Sequence, residues 1–409
     1  MAMTPASPVS GSPGAHARRH HHPGRRALFR LGTGVPVLAL GLLAPATGAW
    51  ASAGHDEGHS STVYVATDGT DSDSCGAADD ACASISRGVA NAEAGGRVEV
   101  AGGTYHEQVV VSKELDLHGD DAVIDASGKT SGSGAALNAA GVLLTADADG
   151  STFEGFTVQG AFGEGVLVMG ADHVAVRHNT VTGNDLGTPT NTTYAECLPT
   201  GDVPGDCGEG LHLMSTTDSV VADNDVHDDS GGILVTDELG PATRNRIVSN
   251  WSHDNAYDCG ITLPSHNPNA LSATGVRQPA KGGVFHNLVM GNRVTDNGAK
   301  AEGAGVLIAA AMSGMASYDN WIVGNDISGN GMAGVTVHTH AANQDVSGNV
   351  IRHNDIGRNN LRGDDDAKVT TTTGILVFSA VVPVSVTVSD NDIHDNVTAI
   401  WTSPNVTVK

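Results

Sequence analysis

The sequence contains few aromatic and few basic residues. Aromatic side chains make up only 4% of its 409 residues, and 21 Lys and Arg stand against 46 Asp and Glu. A propeller or sandwich of this length would normally carry more aromatic core. The net charge of −25 argues against nucleic acid and anionic membranes as partners. The apolar run at residues 31–44 is too short to span a membrane and is interrupted by Pro36.

Several familiar catalytic signatures are also missing. The sequence has no Ser-His-Asp order, no phosphate-binding glycine loop and no Cys-His spacing typical of a zinc site. These absences argue against a serine hydrolase, a nucleotide-dependent enzyme and a structural zinc domain. A function must therefore come from residues that the fold brings together.

The sequence instead repeats a short unit that opens with Asn and has a second polar residue five positions later. A strand headed by Gly follows most copies, as at residues 232–235. Repeats of about 20–50 residues indicate a solenoid or an array. The opening residues are Asn179, Asn224, Asn250, Asn292, Asn325, Asn354 and Asn391. The second residues are Asn184, Asp229, Asn255, Asn297, Asn330, Asn359 and Asn396.

These repeats predict an all-β fold. The segments headed by Gly alternate apolar residues with others, which is strand period, and no repeat shows helical periodicity. A short coil of strands and turns fits a parallel β-helix, whose core is built from stacked aliphatic residues. The seven opening Asn would lie above one another and hydrogen-bond in a ladder along the axis.

The N-terminus is predicted to be an export signal. Residues 1–51 contain the pair Arg25-Arg26, typical of twin-arginine signals, followed by an apolar stretch and small residues. Residues 52–62 form a polar linker, and the β-helix is expected at 63–408. Removal of 1–51 takes away five Arg and no acid, so the net charge becomes 16 − 46 = −30. The protein is expected to be extracellular, with no membrane contact after signal cleavage.

All five cysteines lie in the exported part. Cys75 and Cys82 are close in sequence, and so are Cys197 and Cys207. Both pairs are expected to form local disulfides in an oxidising compartment. Cys259 is left over and is expected to be a buried, small hydrophobic residue.

The N-terminal part of the repeat region adds a family resemblance. A short helical stretch at residues 84–96 precedes the turn Gly103-Thr104-Tyr105 and the strands at 115–119 and 123–125. This order resembles the cap and opening coils of the pectin-lyase-like superfamily of right-handed β-helices. The later coils are similar to its NosD-like and carbohydrate-binding hydrolase-type members. The resemblance covers 63–401 and implies a single-stranded right-handed parallel β-helix with a capping helix.

The resemblance is less specific for activity. Lyases, hydrolases, epimerases and non-enzymes share this fold. The clustered Asp motif of the polygalacturonases and the Asp-Pro-His motif of the epimerases are both absent, which argues against those two activities. Three inserts, at residues 185–208, 264–283 and 360–373, flank one face, and inserts on one face of a solenoid usually form its binding walls.

Candidate catalytic residues lie around the central insert. Counted from the Gly of each coil, Glu238 and His266 occupy equivalent positions on adjacent coils about 4.8 Å apart, so their side chains are expected to meet. Basic residues are scarce, and superfamily lyases use Arg or Lys as the base. The predicted catalytic set is Asp237, Glu238, Asp258, His266, Arg277 and Lys281.

Metal and substrate ligands are predicted nearby. Asp229, Asp258 and Glu302 precede the Gly of neighbouring coils and would bind Ca²⁺ through carboxylate oxygens. They could instead act as the acid and base of a glycosidase, or simply solvate the rim. Substrate-binding candidates are His212, His338 and His340. The last lies two coils from His266, about 10 Å away, which argues against one shared metal.

Three functions are compatible with these features. The first is a secreted polysaccharide lyase or glycoside hydrolase that acts on an extracellular glycan. The second is a non-catalytic surface β-helix that binds glycan or protein. The third and weakest is a NosD-like maturation protein for a copper enzyme, for which only Met214 beside His212, and His338 with His340, offer ligands.

Overall fold

The computed structural model describes residues 62–128, 140–184, 209–300 and 303–409. The predicted signal peptide, nearly all of the linker, the pair Cys197 and Cys207, and Glu302 lie outside the described residues. Within the described ranges, no helix is long and apolar enough to cross a membrane. These ranges form a β-helix of three parallel sheets.

The front sheet has ten strands, one from each coil. Its strands are Val109–Val111, Val142–Leu144, Val166–Met169, Glu209–Met214, Gly231–Thr236, Ile261–Ser265, Val306–Ala310, Val335–Thr339, Thr373–Ser379 and Thr398–Thr402. A small sheet joins Ala242–Thr243, Val284–Phe285 and Ser317–Tyr318.

The back sheet has twenty strands, which come mostly as two short strands per coil. Its strands are Thr62–Val65, Gly96–Val100, Gly103–Tyr105, Leu115–Asp125, Thr152–Gln159, Ala175–Arg177, Thr180–Thr182, Val220–Ala222, Asp225–His227, Arg246–Val248, Trp251–His253, Leu288–Met290, Arg293–Thr295, Trp321–Val323, Asp326–Ser328, Val350–Arg352, Asp355–Ile356, Val384–Ser389, Asp392–Ile393 and Val406–Val408.

Every front strand pairs in parallel with the strand one coil away. Leu263 is opposite Ile308, which is opposite Val337, which in turn is opposite Val377. These aliphatic residues point inward and are fully buried. Such a stack of like residues needs no aromatic core, and burial of each contributes about 1.5–3 kcal/mol. The fold is the predicted right-handed parallel β-helix.

The predicted Asn ladder is confirmed. Asn292 donates its side-chain Nδ2 to Asn325 Oδ1 at 3.0 Å, and its backbone N donates to the same oxygen at 2.9 Å. Its Nδ2 also donates to the carbonyl of Ile247 at 2.9 Å. The same bonding joins all seven predicted residues. Within the ladder, each amide is therefore hydrogen-bonded to its neighbouring coils.

Two further ladders run beside it. One comprises the second residues of the repeat, from Asn184 through Asp229 to Asn396. The other lies five positions before the first and was not predicted. It consists of Asn245, Asn287, Asn320 and Asn349, and the backbone N of Ser219 donates to its first member.

The turn residue before each position of the first ladder has a left-handed backbone. Gly291 has φ 66° and Gly324 has φ 67°, and His353 has φ 55°. Gly, Asp and His tolerate this conformation better than β-branched residues do. The repeat thus has a small or polar residue in front of each amide for a conformational reason.

A short helix, Ile85–Asn91, packs at the N-terminal end. Ser84 is its N-cap and accepts a hydrogen bond from the backbone N of Arg87. Ile85 and Val89 are buried against the first coils. A 3-10 turn at Ala146–Ala148 is the other helical element described. The predicted helix at this end is confirmed.

Of the predicted disulfides, Cys75–Cys82 is confirmed. Cys259 is a buried free thiol that packs with Ala304 and Met332. Burial, reinforced by the charge of Asp258, raises the pKa of this thiol well above its ordinary value. Cys259 is therefore a protonated, hydrophobic residue, as the sequence predicted.

Candidate active site

The site begins where two neighbouring front strands end. Asp237 and Glu238 follow the strand Gly231–Thr236, and His266 follows Ile261–Ser265. Because these strands are adjacent and in register, their exits lie side by side. Glu238 Oε1 lies 2.7 Å from His266 Nδ1. The side chains are only 6% and 1% exposed, so water screens this contact little.

Asp237 holds this corner together. Its carboxylate accepts hydrogen bonds from Ser265 Oγ at 3.0 Å and from the backbone N of His266 at 2.6 Å. It also accepts from the backbone N atoms of Asn267 and Gly283, at the two ends of the central insert. Burial raises the pKa of Asp237 to about 6, although these backbone donors oppose the shift. Asp237 is a positioning residue, since all its contacts are structural.

Glu238 is the acidic member of the pair. Burial alone would raise its pKa, but attraction to the charged form of His266 and a hydrogen bond from its ring lower the pKa to about 2. Glu238 therefore stays ionised at neutral pH. Its second oxygen, Oε2, is buried and has no hydrogen-bond partner among the residues described. The carboxylate fixes the orientation of the His266 ring through one oxygen.

A chain of polar side chains extends the pair across neighbouring coils. His212 Nε2 lies 2.7 Å from Thr236 Oγ1, and His212 Nδ1 lies 3.3 Å from Glu164 Oε1. Thr236 also interacts with Glu238. The predicted substrate ligand His212 is thus buried behind the Glu238–His266 pair.

The pair opens onto a cavity of about 490 Å³. Its polar lining combines one carboxylate, one imidazole, two amides and one amine. Asn267 Nδ2 donates to the backbone O of Lys281 at 2.9 Å, which fixes the segment that carries this amine. The lining residues are Glu238, Leu239, His266, Asn267, Pro268, Asn269 and Lys281.

Arg277 lies in the same insert but has a different role. Its guanidinium donates to Asp345 Oδ2 at 2.7 Å and to Asp319 Oδ2 at 2.6 Å, and it lies 3.8 Å from the centre of the Tyr318 ring. Burial alone would lower the pKa of Arg277, but the two carboxylates raise it. The structure therefore places Arg277 as an anchor of the insert, away from the cavity lining.

This anchoring gives a stability prediction. Arg277→Ala removes three hydrogen bonds of the guanidinium, to Asp319, Asp345 and the carbonyl of Ser347, and a cation–π contact, which together hold the insert to the coils by on the order of 2 kcal/mol. We expect limited proteolysis with thermolysin to cut residues 270–282 faster in this variant, with the melting temperature almost unchanged. Arg293→Ala, which removes a guanidinium from above the Trp251 ring on the back sheet, is the matched control. Equal cleavage of both variants would contradict the anchoring role.

Three other predicted site residues line a second cavity on the front sheet. It has a volume of about 220 Å³, and Asp258, His338, His340 and Asp366 line it together with apolar side chains. Asp258 is therefore in a different cavity from the Glu238–His266 pair. In the predicted Ca²⁺ set, Asp229 Oδ1 accepts from Asn184 in the second ladder. Glu302 lies outside the described residues, so the Ca²⁺ site of Asp229, Asp258 and Glu302 stays a prediction.

The acidic residues of the third insert were not among the predicted site residues. Asp364 is fully buried, and its Oδ2 lies 3.0 Å from His338 Nε2. Burial alone would raise the pKa of Asp364, but the hydrogen bond to His338 lowers it. The sequence did contain a signal for these residues. Residues 360–373 were predicted to flank this face, and they include three consecutive acidic residues.

Comparison with known proteins is consistent with this architecture. Residues 129–285 match the family model described as a right-handed beta helix region. Among curated proteins, none matches the sequence. The described residues thus form a right-handed parallel β-helix.

Solved structures with similar folds are distant in sequence. An alginate lyase from Paenibacillus sp. strain FPU-7 is 14% identical, with a TM-score of 0.47 over 85% of this chain and 99% of that one. The A-module of a mannuronan C-5 epimerase from Azotobacter vinelandii is 16% identical, with a TM-score of 0.46 over 77% and 91%. The pectate lyase Pel9A is 16% identical, with a TM-score of 0.49 over 85% and 78%. These values concern the fold alone.

Proposed function

We propose that the protein is a carbohydrate-active β-helix that cleaves an acidic extracellular polysaccharide by β-elimination in the Glu238–His266 cavity. The observation that carries the proposal is the 2.7 Å contact of Glu238 Oε1 with His266 Nδ1, at the wall of a cavity that also contains Lys281. A carboxylate–imidazole pair is a common way to orient a general base.

In this reaction His266 takes the proton from the carbon next to the uronate carboxylate. Because Nδ1 is engaged by Glu238, Nε2 takes the proton once the bound substrate has displaced the atoms that bury it, and the ionised Glu238 stabilises the imidazolium that forms. The electrons of the broken C–H bond form a C=C bond, and the glycosidic C–O bond breaks. The imidazolium then returns its proton to the leaving oxygen, so His266 is restored.

Lys281 would neutralise the substrate carboxylate. Proton removal next to a carboxylate builds negative charge on it, and an ammonium placed there stabilises that charge. Lys281 is the basic residue in the lining of this cavity. It would also offset the repulsion that a chain with 46 acids and 21 basic residues exerts on a polyuronate.

Hydrolysis by two carboxylates is less well supported by this cavity. That chemistry needs two carboxyl groups about 5–9.5 Å apart across the scissile bond. Glu238 is the carboxylate in the cavity lining described, and Asp237 is buried with its oxygens engaged by four donors. A single carboxylate beside an imidazole and an amine favours elimination.

A second candidate is glycan binding without chemistry. The observation that favours it is the small exposed fraction of the Glu238 and His266 side chains. In that case the pair would stabilise the strand exits, and Asn269 and Lys281 would contact the glycan.

A panel of neutral and acidic polysaccharides separates these functions. We expect the purified protein to generate ultraviolet-absorbing unsaturated ends, together with reducing ends, on a polyuronate only. Reducing ends without absorbance would contradict elimination and indicate hydrolysis. No product, with retention on an immobilised glycan, would overturn the catalytic proposal in favour of the binding function.

A further inference from the structure

We propose that His338, His340 and Asp366 form a binding site for a divalent transition metal, such as Zn²⁺, at the second cavity of the front sheet. The proposal concerns a site separate from the Glu238–His266 pair. It rests on side-chain geometry alone and does not depend on the polysaccharide reaction.

The front sheet brings the two imidazoles to one face. His338 lies in the strand Val335–Thr339, and His340 follows it two residues later, so both side chains point outward. Their ring centres are 5.4 Å apart, with an interplanar angle of 86°. Rings at this angle can direct their nitrogens towards a common point between them.

Asp366 supplies the third ligand from the insert above. Its Oδ2 lies 3.9 Å from His338 Nδ1 and 3.7 Å from His340 Nε2. All three ligand atoms lie within 4.8 Å of one another. Metal–ligand bonds of about 2.0–2.2 Å place the ligands of one ion about 3–3.5 Å apart, so small rotations would close this group around an ion. The Asp366 side chain is half-exposed, which leaves space for such a rotation.

Asp364 provides the outer support that such sites usually have. Its Oδ2 lies 3.0 Å from His338 Nε2, the nitrogen on the far side of the ring from Asp366. A carboxylate that accepts the second N–H of a ligating His fixes its tautomer and raises its basicity. Asp364 is itself fixed by the backbone N of Ala367 at 2.7 Å. With its proton on Nε2, His338 presents the lone pair of Nδ1 towards the proposed ion.

The ligand types select the metal class. Two imidazoles and one carboxylate suit Zn²⁺ and neighbouring transition metals, whereas Ca²⁺ and Mg²⁺ prefer sets of oxygens. Three protein ligands leave at least one coordination position for an external oxygen. That position would face the 220 Å³ cavity, which Asp258 also lines. The external ligand would therefore be water or an oxygen of a small polar molecule.

Another His–carboxylate group in the described ranges offers an internal control. Asp225, His227 and His253 also lie within metal-binding distance of one another. His253 already contacts Asp225 through Nε2 at 2.9 Å and Asp254 through Nδ1 at 2.7 Å. A metal would have to displace one of these carboxylates, so this group should bind more weakly.

Isothermal titration of chelator-treated full-length protein with Zn²⁺ tests the proposal. The tract His20-His21-His22 would also bind Zn²⁺, so it is replaced by Ala in every variant compared. We expect one equivalent to bind, with the saturable event lost in His340→Ala and Asp366→Asn. Both residues are partly exposed, so these variants should fold. Asp364→Asn should weaken binding by about 10–100-fold, as outer-sphere substitutions do.

Co²⁺ absorption gives a second readout that does not depend on activity. A d–d band should appear on titration and disappear in Asp366→Asn. His253→Ala should leave both the heat and the band unchanged. Equal binding by the wild type, His340→Ala and Asp366→Asn would overturn the proposal, as would loss of binding in His253→Ala alone. Absence of any Zn²⁺ binding would indicate that Asp364 and His338 only fasten the insert to the sheet.

Discussion

Substitution of His266 by Ala is expected to lower kcat/KM on a polyuronate by about 10²–10⁴-fold, the usual contribution of a positioned general base. The ring nitrogen Nδ1 is fixed by Glu238, so the loss reflects removal of a pre-oriented group. Initial rates of ultraviolet absorbance measure the effect. His253→Ala is the matched control, because the His253 ring is likewise held by carboxylates, Asp225 and Asp254, but lies on the back sheet.

Two further variants separate chemistry from folding. Glu238→Gln keeps the size of the side chain but removes the charge that stabilises the imidazolium, so kcat should fall. Lys281 is exposed, so Lys281→Ala should fold normally and lower kcat/KM by about 10–100-fold, the equivalent of one charged hydrogen bond. Full turnover by Lys281→Ala and Glu238→Gln, with the same substrate, would exclude this cavity as the site of elimination.

Replacement of Asn325 by Leu should be the most damaging change to the fold. Its Nδ2 donates to Asn354 Oδ1 and to the carbonyl of Val289, and its Oδ1 accepts from the backbone N and Nδ2 of Asn292. Leu would leave several buried polar groups unpaired, at about 1–3 kcal/mol each. We expect the free energy of unfolding to fall by at least about 3 kcal/mol.

Urea unfolding followed by circular dichroism measures this loss. Asn269→Leu is the control, because Asn269 is exposed and belongs to no ladder. The two variants have the same change in composition, so any difference reports the ladder environment. A midpoint for Asn325→Leu equal to that of Asn269→Leu would show that the ladder amides do not stabilise the fold.

The fold could be predicted because its stabilising contacts are periodic. In a solenoid each residue contacts the equivalent residue one coil away. Two residues at equivalent positions of successive repeats, such as Asn292 and Asn325, are therefore predicted to be in contact. The same logic predicted the encounter of Glu238 with His266. The third ladder has the same sequence signature, since Asn245, Asn287 and Asn320 lie five residues before the opening Asn of their coils.

The contacts that the inserts make with the coils could not be predicted from the repeats. Arg277 contacts Asp319 and Asp345 because of the backbone conformation of residues 266–283. This segment is not part of the repeat, so the periodicity of the sequence does not predict its conformation. For the same reason, the meeting of His338 with Asp364 could not be read from the repeats. Periodicity determines the coils, whereas the chemistry of this molecule depends largely on segments that interrupt them.

The ladders also fix the spacing of the coils along the front sheet. Because every Asn bonds to an equivalent Asn one coil away, coils can be gained or lost only as whole units, each about 4.8 Å thick. His266 and His340 lie two such units apart. The distance between the two cavities is therefore a whole number of coil spacings. A substitution within a coil can change which ligand a cavity binds. Only the insertion or deletion of a coil can change the distance between the cavities.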